Sequence, residues 1–280
     1  MEETINQAGQ TVGGSPQKLP GVLALLNRAF SVYKERLAVI AGIAAVPTLF
    51  GVLQIFVGMA IPIVFFFVVF LGTIFSFLSY LAFVSVMTTE GQSVGDAYRK
   101  SIQMALPALW VSILTAIAVM GGFILLIVPG VILSLLFCVS FYVLFVENRR
   151  GLSALISSWH YARGYLWAIA WRFLFLSIIM LLVTLVISFA TNGPSFLTPS
   201  AQEGMSLPYR LLYLFFSNFI ALPLSVIYTY GIYQVLKQSK VASLLEVDEK
   251  EIKRKIIIFS VLGLLAIAAV VVGVVVFALL

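Results

Sequence analysis

Charge is the scarcest resource in this sequence, with 17 Lys and Arg and 11 Asp and Glu among 280 residues, one histidine and one cysteine. The lone Cys138 excludes an internal disulfide and a multi-cysteine metal centre, and its apolar surroundings read as those of a small buried hydrophobe. The lone His160 has no second imidazole with which to share a metal. Beside Trp159, Tyr161 and Arg163 it reads as an aromatic at headgroup level. Also missing are a phosphate-cradling glycine loop, a His-Glu-x-x-His pair and a nucleophile elbow. No catalytic residue, metal site or cofactor is therefore assigned, and the expectation is a chain that is not an enzyme.

What the sequence has instead is apolar surface: 62% of its residues are hydrophobic and its mean hydropathy is +1.11. One water-soluble core cannot hide that much, so most of it must face lipid. About twenty apolar residues at the helical rise cross a bilayer core, and a backbone in lipid must satisfy its own hydrogen bonds, which makes each such run a helix. Seven runs meet this requirement, near Leu37 to Ala60, Ile63 to Met87, Ala108 to Val128, Gly130 to Val146, Leu166 to Ala190, Leu211 to Leu236 and Ile256 to Leu280. Met59 to Pro62 and Val128-Pro129-Gly130 read as tight hairpins. Met1 to Lys18, polar and without an apolar stretch for a cleavable signal, is expected to be a disordered cytoplasmic tail.

Orientation follows from the basic residues. With the N-terminus inside, fifteen of the seventeen fall on cytoplasmic segments, the exceptions being Arg210 and Arg172. Arg172 is expected to snorkel to the headgroups. Trp110, Trp159, Trp167 and Trp171 fall at the same ends of the spans, where an indole prefers to sit. The expected location is the plasma membrane, multi-pass, with the N-terminus cytoplasmic.

A shift of 57 residues superimposes Glu90 on Glu147, Ser101 on Ser158 and Trp110 on Trp167, along with several apolar matches. Each copy reads as the end of an inward span, a Glu at the surface, a short helix, and then Leu-Trp opening the next span. Ahead of the first span, Leu23, Leu26, Phe30, Tyr33 and Leu37 form one stripe, with Asn27, Arg28, Ser31 and Lys34 opposite, as in an interfacial amphipathic helix. The expected fold is thus all-α, a polytopic transmembrane helix bundle. Its membrane domain, residues 19–236, comprises six core spans in three helix-pair units, 19–87, 88–146 and 147–236, each led by an interfacial helix. Residues 237–255 read as a charged cytoplasmic linker helix with Glu246–Lys250, Glu249–Lys253 and Glu251–Lys255 pairs, and 256–280 as a seventh span. Lys250, Lys253, Arg254 and Lys255 are candidate headgroup contacts, with positive-inside anchoring as the plainer reading. Ala269 and Gly273 form a small-xxx-small pair suited to helix packing.

Mid-depth, the spans hold no Asp, Glu, Lys or His. Gln54, Ser79, Thr184, Asn218 and similar side chains read as hydrogen-bonding between helices. Pro47 and Pro223 read as static kinks. Asn218 with Pro223, and also Gln54 and Arg172, are weak pocket candidates. Glu90 and Glu147, repeating with the fold, read as structural groups that either pair with Arg or Lys of neighbouring interfacial helices or mark where the span leaves the lipid.

The stretch from Leu125 to Ile169 resembles the membrane domain of the glycerophosphodiester phosphodiesterase membrane-domain family and related stand-alone bacterial membrane proteins. Pro129-Gly130, Glu147, the Gly-Leu-Ser-Ala-Leu run from Gly151, Ser158-Trp159, Gly164 and Trp167 carry the likeness. The resemblance implies an integral membrane module of six spans. It does not imply the hydrolase activity, which in that family belongs to a separate soluble barrel. The expected role is a non-catalytic membrane module that contacts lipid or supports a membrane protein assembly, the alternative being a small-solute or lipid transporter. Expected partners are membrane lipids and another membrane protein, with no nucleic acid; the oligomeric state stays open.

Overall fold

The computed structural model describes residues 19–57, 62–193, 206–240 and 249–279, and among these every regular element is helical. In chain order they are α1 (Val22–Glu35), α2 (Leu37–Val57), α3 (Pro62–Thr88), α4 (Val94–Leu125), α5 (Ile127–Leu136), α6 (Ser140–Glu147), α7 (Leu152–Ala162), α8 (Leu166–Asn192), α9 (Leu207–Phe215), a π turn (Phe216–Ala221), α10 (Leu222–Lys240) and α11 (Glu249–Leu279). Six helices among the described residues are long and apolar enough to cross a membrane: α2, α3, α4, α5 with α6, α8, and α9 through α10. The chain is an all-α helical bundle. The expected disordered tail, residues 1–18, lies outside the described residues.

The packed core lies toward one end of the bundle, the end where α1 and α7 sit. The last residues of α3, Leu81 through Met87, are all buried there, with Tyr142, Val143 and Leu144 of α6, Leu155 and Tyr161 of α7, and Ile232, Tyr233 and Leu236 of α10. The opposite end leaves its apolar side chains exposed, from Phe66 and Phe70 on α3 to Leu182 and Val186 on α8. For a soluble protein that surface would be untenable; in hydrocarbon it is the ordinary condition.

Several expectations need correction. The hairpin expected at Val128-Pro129-Gly130 turns earlier, at Leu126, which is fully extended between α4 and α5. Pro129 lies in the first turn of α5, where a missing N–H breaks no helical bond. Gly122 and Gly130 bring the two helices together: a Cβ on Gly122 would lie 3.0 Å from the Gly130 backbone. The short helix expected to lead the second unit is not separate, because α4 runs unbroken through Pro107 into the span. In the expected third unit the corresponding position is Gly164, whose positive φ of 93° separates α7 from α8. Of the expected linker 237–255, α10 carries the first part to Lys240, residues 241–248 lie outside the described residues, and Glu249 opens the same helix that forms the seventh apolar run.

The stripe predicted on α1 also divides. Leu25, which the stripe omits, is buried with Ala29 against α10, where the missing side chain of Gly231 makes room for it. Leu26 and Tyr33 pack on the same core, whereas Leu23, Phe30 and Leu37 face outward. The amphipathic helix therefore has a protein face and an apolar outer face.

α11 is held along α4 by a reciprocal glycine crossing. The Phe259 carbonyl oxygen occupies the space where Gly121 would carry a Cβ, 1.8 Å from that position, and the Ile117 carbonyl oxygen stands in the same relation to Gly263, at 2.1 Å. Backbones this close give dispersion contact and Cα–H···O contacts that larger residues forbid. This crossing uses Gly121 and Gly263; of the expected Ala269–Gly273 pair, Ala269 is exposed and the surroundings of Gly273 lie outside the described residues.

Candidate functional site

The prolines inside the spans each free a carbonyl one turn earlier, and tyrosines take two of those carbonyls. Pro223 cannot bond Phe219, whose oxygen accepts from the Tyr33 hydroxyl at 2.8 Å. Pro47 cannot bond Ile43, whose oxygen lies 3.1 Å from the Tyr98 hydroxyl, itself 2.7 Å from Ser79 Oγ. The π turn ends at Ala221, two residues before Pro223, and its Asn218 donates to Thr48 Oγ1 at 3.1 Å, tying it to α2 one residue past Pro47. Asn218 and Pro223 are thus brought together as a braced joint. Gln54 packs over Gly72 of α3, where its amide nitrogen would meet an added Cβ at 2.6 Å.

Breaks elsewhere are closed in the same way. Ser140 bonds Phe137 instead of Leu136, and the freed Leu136 carbonyl accepts from Ser158 of α7 at 2.7 Å. Its repeat partner Ser101 is equally buried but bonds its own helix, at Ala97. Trp110 and Trp167 are both exposed, whereas Trp159 is buried against Phe137 and is a core residue, not a headgroup aromatic.

The two repeated glutamates part company. Glu147, at the end of α6, accepts from the hydroxyls of Tyr161 (3.0 Å) and Tyr233 (2.8 Å) and pairs with Lys237 (3.5 Å) and Arg149 (3.6 Å). Burial, and then the Glu147 charge, push the Tyr161 phenol above its ordinary value. Glu90 is exposed and lines a crevice of about 290 Å³ with Arg28, Glu35 and Arg36. The two carboxylates therefore serve different surroundings.

Basic residues at this end stop helices. Arg36 donates to the Val86 and Thr89 carbonyls at the end of α3, and Lys240 to the His160 and Arg163 carbonyls at the end of α7. Cations belong at those negative helix ends. Arg172 does not snorkel. It is buried, with Nη2 donating to the Leu19 carbonyl at 2.8 Å and Nε to the Pro20 carbonyl at 3.2 Å, which fastens the start of α1 to α8. Arg163, Arg172 and Lys240 together face a cavity of about 850 Å³ with Gly164, Tyr165 and Ala168. Burial and the Lys240 charge lower the pKa of the adjoining His160.

Of the candidate headgroup residues, Lys250, Lys253 and Arg254 are exposed on the first turns of α11. Lys255 pairs with Glu251 at 2.5 Å; the expected Glu249–Lys253 pair does not form, and Glu246 lies outside the described residues. Among the described residues no group of three His, Cys, Asp or Glu could hold a metal ion.

Sequence reasoning missed the tyrosine braces, the glycine crossing and the basic cavity. Their only sequence signals are a span proline and a distant tyrosine, or isolated glycines, with nothing to say which pairs meet. Six apolar spans and internally satisfied breaks define an integral membrane protein of the multi-pass helical class. No protein-family model, curated protein or solved structure matches the chain.

Proposed function

We propose that this protein is a non-catalytic module of the plasma membrane, its N-terminus cytoplasmic, which associates with lipid at its basic end and supports a membrane assembly. The observation that carries this reading is how the polar side chains of the spans are used: Thr48 with Asn218, Tyr98 with Ile43 and Tyr142 with Val226 hold helices to one another. Basic side chains gather where α1, α7 and α10 meet, suited to anionic headgroups on the cytoplasmic leaflet. The likeness of Leu125 to Ile169 to a phosphodiesterase-family membrane domain supports the same kind of module.

A second reading, transport of a small solute or lipid, is favoured by one feature. A cleft of about 480 Å³ beside the π turn is lined by Tyr80, Tyr142, Ser217, Ser225 and Thr229. Hydroxyls beside an irregular turn can form a substrate path. Reconstitution into vesicles separates the two: the module reading predicts retained anionic lipid with no acceleration of solute flux or lipid flip-flop. Flux that Ser217→Val abolishes would establish the transporter instead.

A further inference from the structure

The cavity at the α7–α8 junction is lined by Arg163, Arg172 and Lys240 and, among the described residues, by no carboxylate. Arg172 is buried, and the acceptors of its hydrogen bonds are the neutral carbonyls of Leu19, Pro20 and Ala168. Those carbonyls satisfy its N–H groups without cancelling its charge, and a cation withdrawn from water needs a counter-charge to offset its lost hydration. The nearby carboxylate of Glu147 is turned to Arg149 and Lys237. Arg163 is exposed at the cavity mouth and donates no hydrogen bond from its side chain among the described residues. Two guanidinium groups and an ammonium facing one space suit an oxyanion with several acceptor oxygens.

Its position says which oxyanion. The cavity opens at the foot of α8, the least buried of the six spans. On α8, Trp167 is 83% and Trp171 56% exposed, and Leu174 and Ile178 continue the apolar surface along the helix. Indoles at headgroup level below an apolar track are the surroundings of a lipid whose charged group is held at the membrane surface. Space is available as well, since a side chain at Gly21, on the cavity wall, would meet nothing within 4 Å.

We propose that this cavity binds the phosphate group of an anionic phospholipid, the acyl chains lying along α8. The proposal rests on the lipid-associated reading above and makes it specific to one site. Through Arg172 the site is joined to the start of α1, so occupancy also steadies that helix.

Native mass spectrometry of the full chain in detergent tests it, with phosphatidylglycerol, phosphatidylcholine of the same acyl chains, and glycerol phosphate as probes. Phosphatidylglycerol should be retained in preference to phosphatidylcholine. Arg163→Gln, which removes a charge, and Gly21→Phe, which fills the cavity with no change of charge, should each weaken retention about tenfold, the worth of one charge-assisted contact. Arg210→Gln, which removes an exposed charge on α9 away from the cavity, should leave it unchanged. Phosphatidylglycerol binding indifferent to both cavity variants would overturn the site while leaving lipid association standing. Retention of neither phospholipid would overturn both. Glycerol phosphate binding as tightly as the lipid would make the ligand a soluble phosphate and overturn the lipid assignment.

Discussion

The two ends of α3 are almost equally apolar and behave differently. Its first ten residues, Pro62 to Leu71, run PIVFFFVVFL and include no buried residue; its seven residues from Leu81 to Met87, LAFVSVM, are all buried. Hydrophobicity alone does not distinguish them, because lipid tails are as apolar as leucine and offer no hydrophobic drive for helices to associate. What distinguishes the packed end is small and hydroxylated residues. Ser79, Ala82 and Ser85 let neighbours approach, and Ser79 meets Tyr98 while Ser85 meets Gln92. In this chain hydropathy selects the solvent, and small residues, hydrogen bonds and helix-stopping cations select the contacts.

The largest break in that pattern should come where backbone meets backbone. Gly121→Leu drives a side chain into the Phe259 carbonyl and should detach α11 from α4, at a cost above about 3 kcal/mol for the contact. Spin labels on the two helices should report a longer and broader distance, while the six spans keep their helicity. Contrasting the ends of α3 directly, Leu81→Ala should lower stability by about 3 kcal/mol and Phe67→Ala by less than about 1 kcal/mol, read from reversible unfolding in mixed micelles. Equal losses would show that the two ends are packed alike.

Glu147 offers a sharper comparison within the packed end. Glu147→Ala leaves two tyrosine hydroxyls without their acceptor and two cations without their partner, and should cost about 3 kcal/mol. Glu147→Gln keeps an acceptor and should recover about half of that loss. Tyr33→Phe deprives the Phe219 carbonyl of its donor and should cost about 1 kcal/mol, with faster hydrogen exchange confined to the π turn and the start of α10. The smallest expected effect is at His160. Its pKa is lowered on folding, so the unfolded chain binds the proton more readily, and stability should fall as pH drops through the ordinary histidine range and be complete above it. Titration of the imidazole by NMR checks the direction, and a value above that of free histidine would reverse it.

Much of this architecture is legible in sequence because its causes are local. Runs of apolar residues mark the spans, the 57-residue shift marks the recurring Ser101 and Ser158, both buried, and i,i+4 spacing identifies the Glu251–Lys255 pair. What could not be read depends on distant partners. Tyr33 and Phe219 are 186 positions apart, and Tyr233 and Glu147 are 86. Arg172 looks from its position like a residue reaching for headgroups, and only the fold reveals the carbonyls of Leu19 and Pro20 beside it. Repetition misleads at Glu90, since a shared sequence position does not supply the tyrosines that surround Glu147. The basic cavity draws on the residues before α1, the α7–α8 junction and the end of α10, which no window of sequence brings together.

The proposed orientation puts the packed, basic end of the bundle in the cytoplasm and the hairpin at Leu126 on the far side. Single cysteines in a Cys138→Ala background test it with a membrane-impermeant maleimide, one replacing exposed Ser153 on α7 and the other replacing Leu126. The account predicts labelling of the Ser153 position only in inverted vesicles and of the Leu126 position only in right-side-out ones. The reverse pattern, or both positions labelled from one side, would contradict it.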